Sequence, residues 1–389
     1  MTAGLPFPAD EYLERRRRVR EEMGRRDLDV LLVLSPPNLT YLTGFESIWY
    51  PPRAPVGCVL AADSDELVFC DYERHRNHAS TQAFFDDAIW FTYDDAVEQV
   101  ARAFRDRGWT GRVGVERWTK SPGAPLVRTL ESALEAQGAS VVDGSWAVDR
   151  VRAVKSPREL ECVLRASEIV DAAVGALPEI VRPGLTELQV AARLNSVMAD
   201  HGGEEPAIRT MVSAGPLVWA RTHGAPGHRP IERGDVMYVD VCGVYHRYHV
   251  DLCRTFAIGV DNRAAREILD WTSKSVDAVI AAVRVGDPLD VAVRVAEQHV
   301  HERYDADQVW WIGGYALGIA LPPDWVGHTY LDNEAFETFT WEPGYVTNYE
   351  NVLFDREKGI TASYMETLLM TPDGIQVLSH LPRTLTVIP

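Results

Sequence analysis

The sequence predicts an α+β protein in two parts, a smaller N-terminal α/β domain over residues 1–150 and a larger α+β domain over residues 151–389. Three observations predict it. The chain has 389 residues, and domains run to roughly 150 residues, so it divides into two or three. Strand-like and helix-like segments alternate as far as residue 150, the pattern of a small α/β domain with a parallel or mixed sheet. Beyond that point helices alternate with antiparallel strand pairs, the pattern of an α+β domain.

Taken in order, residues 11–26 form a charged helix, and DVLLVL (29–34) is a buried strand closed by a turn at Pro36–Pro37–Asn38. GCVLAA and ELVFCD pair around Asp63–Ser64–Asp65. AVEQVARAFRDRG is an amphipathic helix, RVGVE a strand and PLVRTLESALEAQG a helix. No glycine-rich loop follows any of these strands, so nucleotide binding has no support. In the second part a long helix follows Lys155–Ser156–Pro157–Arg158, with Leu160, Val163, Leu164, Ala166 and Ile169 at apolar spacing. Thr186 with Gln189 three residues on reads as a capping box opening a helix to His201. A hairpin, a helix pair (about 262–303) and a strand-rich last third follow.

Composition narrows the function classes. The chain is 46% hydrophobic and 25% charged, an ordinary globular balance. A net charge of −18 argues against nucleic acid or an anionic membrane as partner, because either requires a basic face. The Arg15–Arg18 run has acids on both sides and reads as a solvated helix face. Five cysteines without a CxxC pair suit free thiols in a cytoplasmic location. No apolar run approaches the ~20 residues that span a bilayer, and the N-terminus has no secretory pattern.

The chemistry concentrates in GDVMYVDVCGVYHRYHVDLCRTF, residues 234–256. Two β-branched stretches flank a centre near Tyr245–His246 and read as a hairpin. With the turn there, Asp240 faces Asp251 directly, and Cys242 faces Cys253 on the same side. Opposed carboxylates repel unless a cation or a proton lies between them, so the pair marks a metal or acid–base site. The cysteines read as small apolar filler. Glu350 in EPGYVTNYENV and Glu366 in ASYMETLLMTPDG are further acids on apolar strands. His223 follows a glycine-containing loop and is a candidate for proton transfer. His246 and His249 lie at the hairpin tip, where they either reach a pocket or simply cap the turn. Trp219, Trp310, Trp311, Trp325 and Trp341 cluster around these segments as core or pocket wall.

Together the four acids resemble those of the pita-bread metallopeptidases: methionine aminopeptidase, Xaa-Pro aminopeptidase, prolidase and creatinase. The likeness is carried by the Asp240–Asp251 spacing, the following Arg254–Thr255–Phe256, Glu350 after Pro343–Gly344, Glu366 ahead of a strand ending in a turn, and His223 upstream. NLTYLTGF (38–45) and VRAVKSPRELE (151–161) look like segments of the two-domain members. The resemblance implies a creatinase-like N-terminal domain and a pseudo-symmetric C-terminal catalytic domain. It also implies a homodimer, a small-molecule substrate, and one or two divalent ions (Mn, Mg or Fe) on Asp240, Asp251, Glu350 and Glu366. The family's ligand His falls on Tyr315, and its second His falls on Pro322–Pro323. GYALGIALPPDW and the hairpin tip are most similar to the ectoine hydrolase branch, which opens a cyclic amidine, and creatinase itself works without metal, so a metal-free mechanism stays open. On this reading His223, Glu350 and Tyr315 are catalytic, and His228, His246, His249, Asp324 and Trp325 bind substrate. The implied reaction is hydrolysis of a C–N bond in a small amide- or amidine-like compound. The alternatives are an Xaa-Pro dipeptidase or aminopeptidase, a lyase, and a binding module on the same fold.

Overall fold

The computed structural model describes residues 4–323, 325–331 and 338–389. The chain separates into two compact units, Met1–Arg152 and Ala153–Pro389.

The first unit is a mixed six-stranded sheet in the order β4-β3-β2-β1-β5-β6. Its strands are β1 (Val30–Val33), β2 (Gly57–Ala61), β3 (Leu67–Tyr72), β4 (Asp87–Phe91), β5 (Gly111–Val115) and β6 (Ala139–Asp143). β1, β2 and β3 pair antiparallel, whereas β4, β5 and β6 join in parallel. Two expectations change here. Pro36–Pro37–Asn38 opens a helix, Pro36–Thr43, rather than a turn, since proline suits the first helical turn, where its missing N–H is not needed. The arginine run is also not uniformly solvated. Arg15 and Arg16 are buried. Arg15 donates to the Tyr41 carbonyl and lies over the Phe7 and Tyr41 rings. Arg16 donates to Asp86 and lies over Phe84. Glu11 is a local partner of Arg15, but Tyr41 and Asp86 lie 26 and 70 positions from the arginines they hold, out of reach of any local charge pattern.

The second unit is an eight-stranded sheet whose main path runs β10-β11-β12-β9-β8-β7. The strands are β7 (Met211–Ala214), β8 (Val236–Tyr245), β9 (Tyr248–Ile258), β10 (Val309–Gly313), β11 (Val346–Asp355), β12 (Ile360–Thr371), β13 (Gly374–Val377) and β14 (Thr386–Ile388). The helix Pro157–Gly175 packs on β8 and β9. It starts at a capping box in which the Ser156 hydroxyl accepts from the Glu159 amide and Glu159 accepts from the Ser156 amide. Three helices, Arg263–Thr272, Ser275–Ala282 and Asp290–His301, stand where a pair was expected. Their apolar faces (Ile268, Leu269, Val276, Val279, Ala292, Ala296) join Trp341, Tyr345, Tyr349, Tyr364 and Leu368 in one core cluster.

At the centre, β8–β9 and β11–β12 form two hairpins that meet along the β9–β12 seam, where Cys253 pairs with Met365. Threonine hydroxyls cross that seam in matched fashion. Thr255 accepts from the Ser363 amide and donates to its carbonyl, and Thr367 does the same with Asp251. The two hairpins thus repeat one another, with Asp240 at the place of Glu350 and Cys253 at the place of Met365.

Candidate active site

The β8–β9 turn fixes where the first two acids stand. It is a two-residue turn at His246–Arg247, with Tyr245 paired to Tyr248. Both turn residues have positive φ, 49° and 63°, as a type I′ hairpin requires, although asparagine and glycine are the usual occupants. Glu204 holds the turn in that shape, since its two carboxylate oxygens accept the His246 and Arg247 amides, each at 2.9 Å. The turn is therefore centred one residue later than the sequence suggested. Asp240 opposes Cys253, and Cys242 opposes Asp251. Because the side-chain period of a strand is two, this two-position change in partner leaves all four side chains on one face. The thiols of Cys242 and Cys253 are buried and pushed far up by that burial and by the neighbouring aspartates, so they are neutral filler between the acids.

Glu350 joins this face. It pairs with Met365, which in turn pairs with Cys253. Glu366 does not join it. One residue beyond Met365, and paired to Tyr349, it points to the opposite face. There the Arg254 guanidinium and the Tyr364 hydroxyl (3.2 Å) donate to it. The expected fourth acid is thus an Arg254 partner, and Met365 fills the corresponding place among the carboxyls.

Asn348, two residues before Glu350 and so on the same face, organises what remains. Its Oδ1 accepts the Tyr315 amide at 2.6 Å. That fixes which way the amide points, and its NH2 donates to Asp251 Oδ2 (3.1 Å) and to Glu350 Oε1. A neutral double donor therefore sits between two carboxylates. Asp240 and Asp251 lie against each other, and among the described residues each leaves its buried Oδ1 without a hydrogen-bond partner. Asp240 is pushed well above the usual carboxyl range by burial first and then by the charges of Asp251 and Glu350. Burial also raises Asp251, while Asn348 and Asp240 pull it back. Glu350 is pushed up to about 8, again mainly by burial and then by Asp251, with Tyr315 and Asn348 opposing.

Tyr315 is buried, and its hydroxyl accepts from the Trp325 indole N–H at 2.9 Å while lying against Glu350. Burial, followed by the three acids, pushes its ionisation far up, so it is a neutral phenol able to donate. Trp311 stacks on it with 6.2 Å between ring centres.

The other expected residues scatter. His249 is buried with both ring nitrogens used. Nε2 accepts the Ala207 amide at 3.0 Å, which leaves Nδ1 to donate to the Arg247 carbonyl at 2.7 Å. Burial and the Arg247 charge hold it neutral, with its pKa lowered to about 3. His246 is a turn residue packed on Tyr245. His223 and His228 are exposed on the 221–230 loop. His223 adopts φ +64° and sets its ring edge-on to Trp310, 5.0 Å away. Trp310 is the extra residue of a bulge in β10 and directly precedes Trp311. Asp324 lies outside the described residues.

Asn348 and Met365 were missed by sequence reasoning. The usable signal for Asn348 was a polar residue at strand period from Glu350. For Met365, sequence alone offered nothing to separate it from the acid beside it.

A model of metallopeptidase family M24 matches residues 161–372, and one of the creatinase/prolidase N-terminal domain matches residues 15–154. Ectoine hydrolase of Halomonas elongata is 28% identical, over 98% of this chain and 98% of its own. The Xaa-Pro dipeptidase of Pyrococcus furiosus is 23% identical, over 96% of this chain and 99% of its own. Among solved structures, the Xaa-Pro dipeptidase from Bacillus anthracis superposes with a TM-score of 0.81 at 20% identity, covering 97% of this chain and 99% of that one.

The family's peptidases are metal enzymes, but the residues here do not fit a paired divalent centre. A tyrosine that resists ionisation takes the place of the nitrogen ligand. A methionine takes the place of one glutamate. The Asn348 NH2 fills the space between Asp251 and Glu350. Among the described residues no group of three or more His, Cys, Asp and Glu side chains is disposed to hold a metal ion. With its creatinase-like N-terminal domain and its pita-bread C-terminal domain, the chain belongs to metallopeptidase family M24, hydrolases that act on C–N bonds.

Proposed function

We propose that this enzyme hydrolyses a C–N bond in a small, non-peptide, amide- or amidine-like compound, with buried acids and a tyrosine in place of a metal pair. The observation that carries this reading is Asn348. An amide that bridges Asp251 and Glu350 does by hydrogen bonding what a cation would do by charge, and it leaves Glu350 Oε2 for chemistry. Full-length likeness to an ectoine hydrolase supports the substrate class.

In this scheme Glu350, raised toward neutrality by burial, takes a proton from the attacking water. The neutral Tyr315 hydroxyl, oriented by Trp325, donates to the charge that develops on the substrate. His223 is exposed and makes no side-chain hydrogen bond among the described residues, so its ring is available to carry a proton to the leaving nitrogen. His249, locked neutral, holds the hairpin tip rather than the substrate.

The test uses ectoine and the dipeptide Gly-Pro as substrates, with metal analysis of the purified protein. The reading expects ectoine turnover that survives chelation, loss of at least ~100-fold in Glu350→Gln, and no tightly held metal. Gly-Pro turnover dependent on added Mn would instead favour the Xaa-Pro dipeptidase reading, which the likeness to the Pyrococcus furiosus enzyme supports.

A further inference from the structure

Glu187 opens the helix Glu187–Asp200 and is fully buried, yet it belongs to neither the acid face nor the core. Its two oxygens are fully engaged. Oε1 accepts from Arg221 Nη1 at 2.6 Å and from the Ala214 amide at 2.9 Å. Oε2 accepts from Arg221 Nη2 at 2.9 Å and from the Gly227 amide at 2.6 Å. One carboxylate therefore ties together the end of β7 and two points of the loop, Arg221 and Gly227, on either side of His223.

Arg221 extends the hold. Its Nη2 also donates to the Ala225 carbonyl at 2.9 Å. Its own carbonyl accepts the Gly224 amide at 2.7 Å and the Tyr238 hydroxyl at 3.1 Å. Tyr238 stands on β8, two residues before Asp240 and on the same face, so the loop is bonded to the strand that carries the acids. The wrapping is tight. A Cβ at Gly224 would lie 2.8 Å from the Arg221 carbonyl oxygen, and one at Gly227 would lie 3.1 Å from Glu187 Oε2. Inside this knot His223 keeps a left-handed backbone, φ +64°, that a non-glycine residue adopts only where its surroundings impose it.

We infer that Glu187, acting through its two-pronged pair with Arg221, is a positioning residue that presents the His223 imidazole to the reacting centre. This rests on the proton-transfer role proposed for His223. A misplacement of about 1 Å at a catalytic group costs on the order of 100-fold in rate, and a fork-to-fork guanidinium–carboxylate pair is the side-chain geometry best suited to prevent it.

The test pairs Glu187→Gln, which keeps shape, with Arg221→Lys, which keeps charge and loses the fork. Hydrogen exchange of residues 214–227 is compared with the rest of the chain. Turnover is read on ectoine, or on Gly-Pro if that is what the enzyme accepts. The expected result is at least ~10-fold faster exchange confined to that segment. With it, kcat should fall by about 10–100-fold and KM should move less than about threefold. Unchanged exchange in both variants overturns the clamp without reference to any substrate. Faster exchange with wild-type kcat overturns its catalytic purpose. His223→Ala separates the two ideas. If it abolishes turnover while the clamp variants do not, only the positioning role fails. If it retains wild-type turnover, the proton-transfer reading fails, and the positioning role fails with it.

Discussion

The pH dependence of folding in the N-terminal unit should follow Glu116. This residue directly follows β5 and is 1% exposed. Its carboxylate accepts the Leu34 amide (2.8 Å), the Ser35 amide (2.7 Å) and the Asn38 NH2 (2.7 Å) at the start of the helix Pro36–Thr43. Those donors do not fully offset its burial and the charge of Asp149, which together push it from 4.5 up to about 7. The folded value lies above the unfolded one. The folded state therefore gains from proton uptake below pH ~4.5, loses that gain as pH rises to ~7, and carries the full cost of a buried carboxylate above it. A gap of about 2.5 units at 1.36 kcal/mol per unit is about 3 kcal/mol. Glu116→Gln removes the ionisation. Its amide oxygen can keep the Leu34 and Ser35 contacts, and Asn38 can turn its oxygen toward the new NH2. Losing the Asn38–Asp149 hydrogen bond (2.9 Å) adds a pH-independent offset of about 1 kcal/mol. Calorimetry on the full chain, variant against wild type, reads the difference. For a unit of this size about 3 kcal/mol is about 6–12 °C in Tm. The variant should gain by that amount between about pH 4.5 and pH 7.5 in the transition that includes β1. A Tm difference flat with pH would refute the argument.

Tyr315→Phe leaves the buried Trp325 N–H without its acceptor and should cost about 1–3 kcal/mol in thermal unfolding, with ectoine turnover reduced by at least ~10-fold. Asn348→Asp replaces the bridging donor with a further acid. Combined with Tyr315→His and Met365→Glu it should create divalent-ion affinity measurable by calorimetric titration, and absence of Mn binding in the triple variant would show that the lost ligands were misidentified. Glu204→Ala frees the two turn amides and should lower stability by about 1–2 kcal/mol. His246→Asn, a better fit to φ +49°, should raise Tm slightly, and a large increase in KM there would instead mark His246 as a substrate contact.

Much of the fold was legible because its signals are local. The Ser156 and Thr186 caps, the β-branched runs of β8 and β9 and the strand–helix alternation each lie within a few residues. The acid pair was legible too, and survived an error in the turn centre because a two-position change in partner preserves the face. Glu366 shows the opposite case. One residue separates it from Met365, and one residue is a change of face, which only the pairing of β12 with β9 and β11 decides. The burial of Arg15 and Arg16, and the hub at Glu187, depend on partners distant in sequence. A capping box was all that local reading could find in TELQ.

The hairpin tip at His246–Arg247 acts as a ruler for the acid cluster. Glu204 grips the main-chain amides of both turn residues, so it is indifferent to the His246 side chain, whereas the buried Arg247 also reaches Glu204 and the Glu205 and Ala320 carbonyls. The tip cannot tolerate changes of length. One residue deleted there would turn β9 over and present Leu252 and Arg254 where Asp251 and Cys253 now stand, and one inserted would present Val250 and Leu252. The strands would keep their pattern and the fold its outline, and the chemistry would be gone. In a library of variants this short segment should accept substitutions at His246 far more readily than at Arg247 and reject every single-codon insertion or deletion.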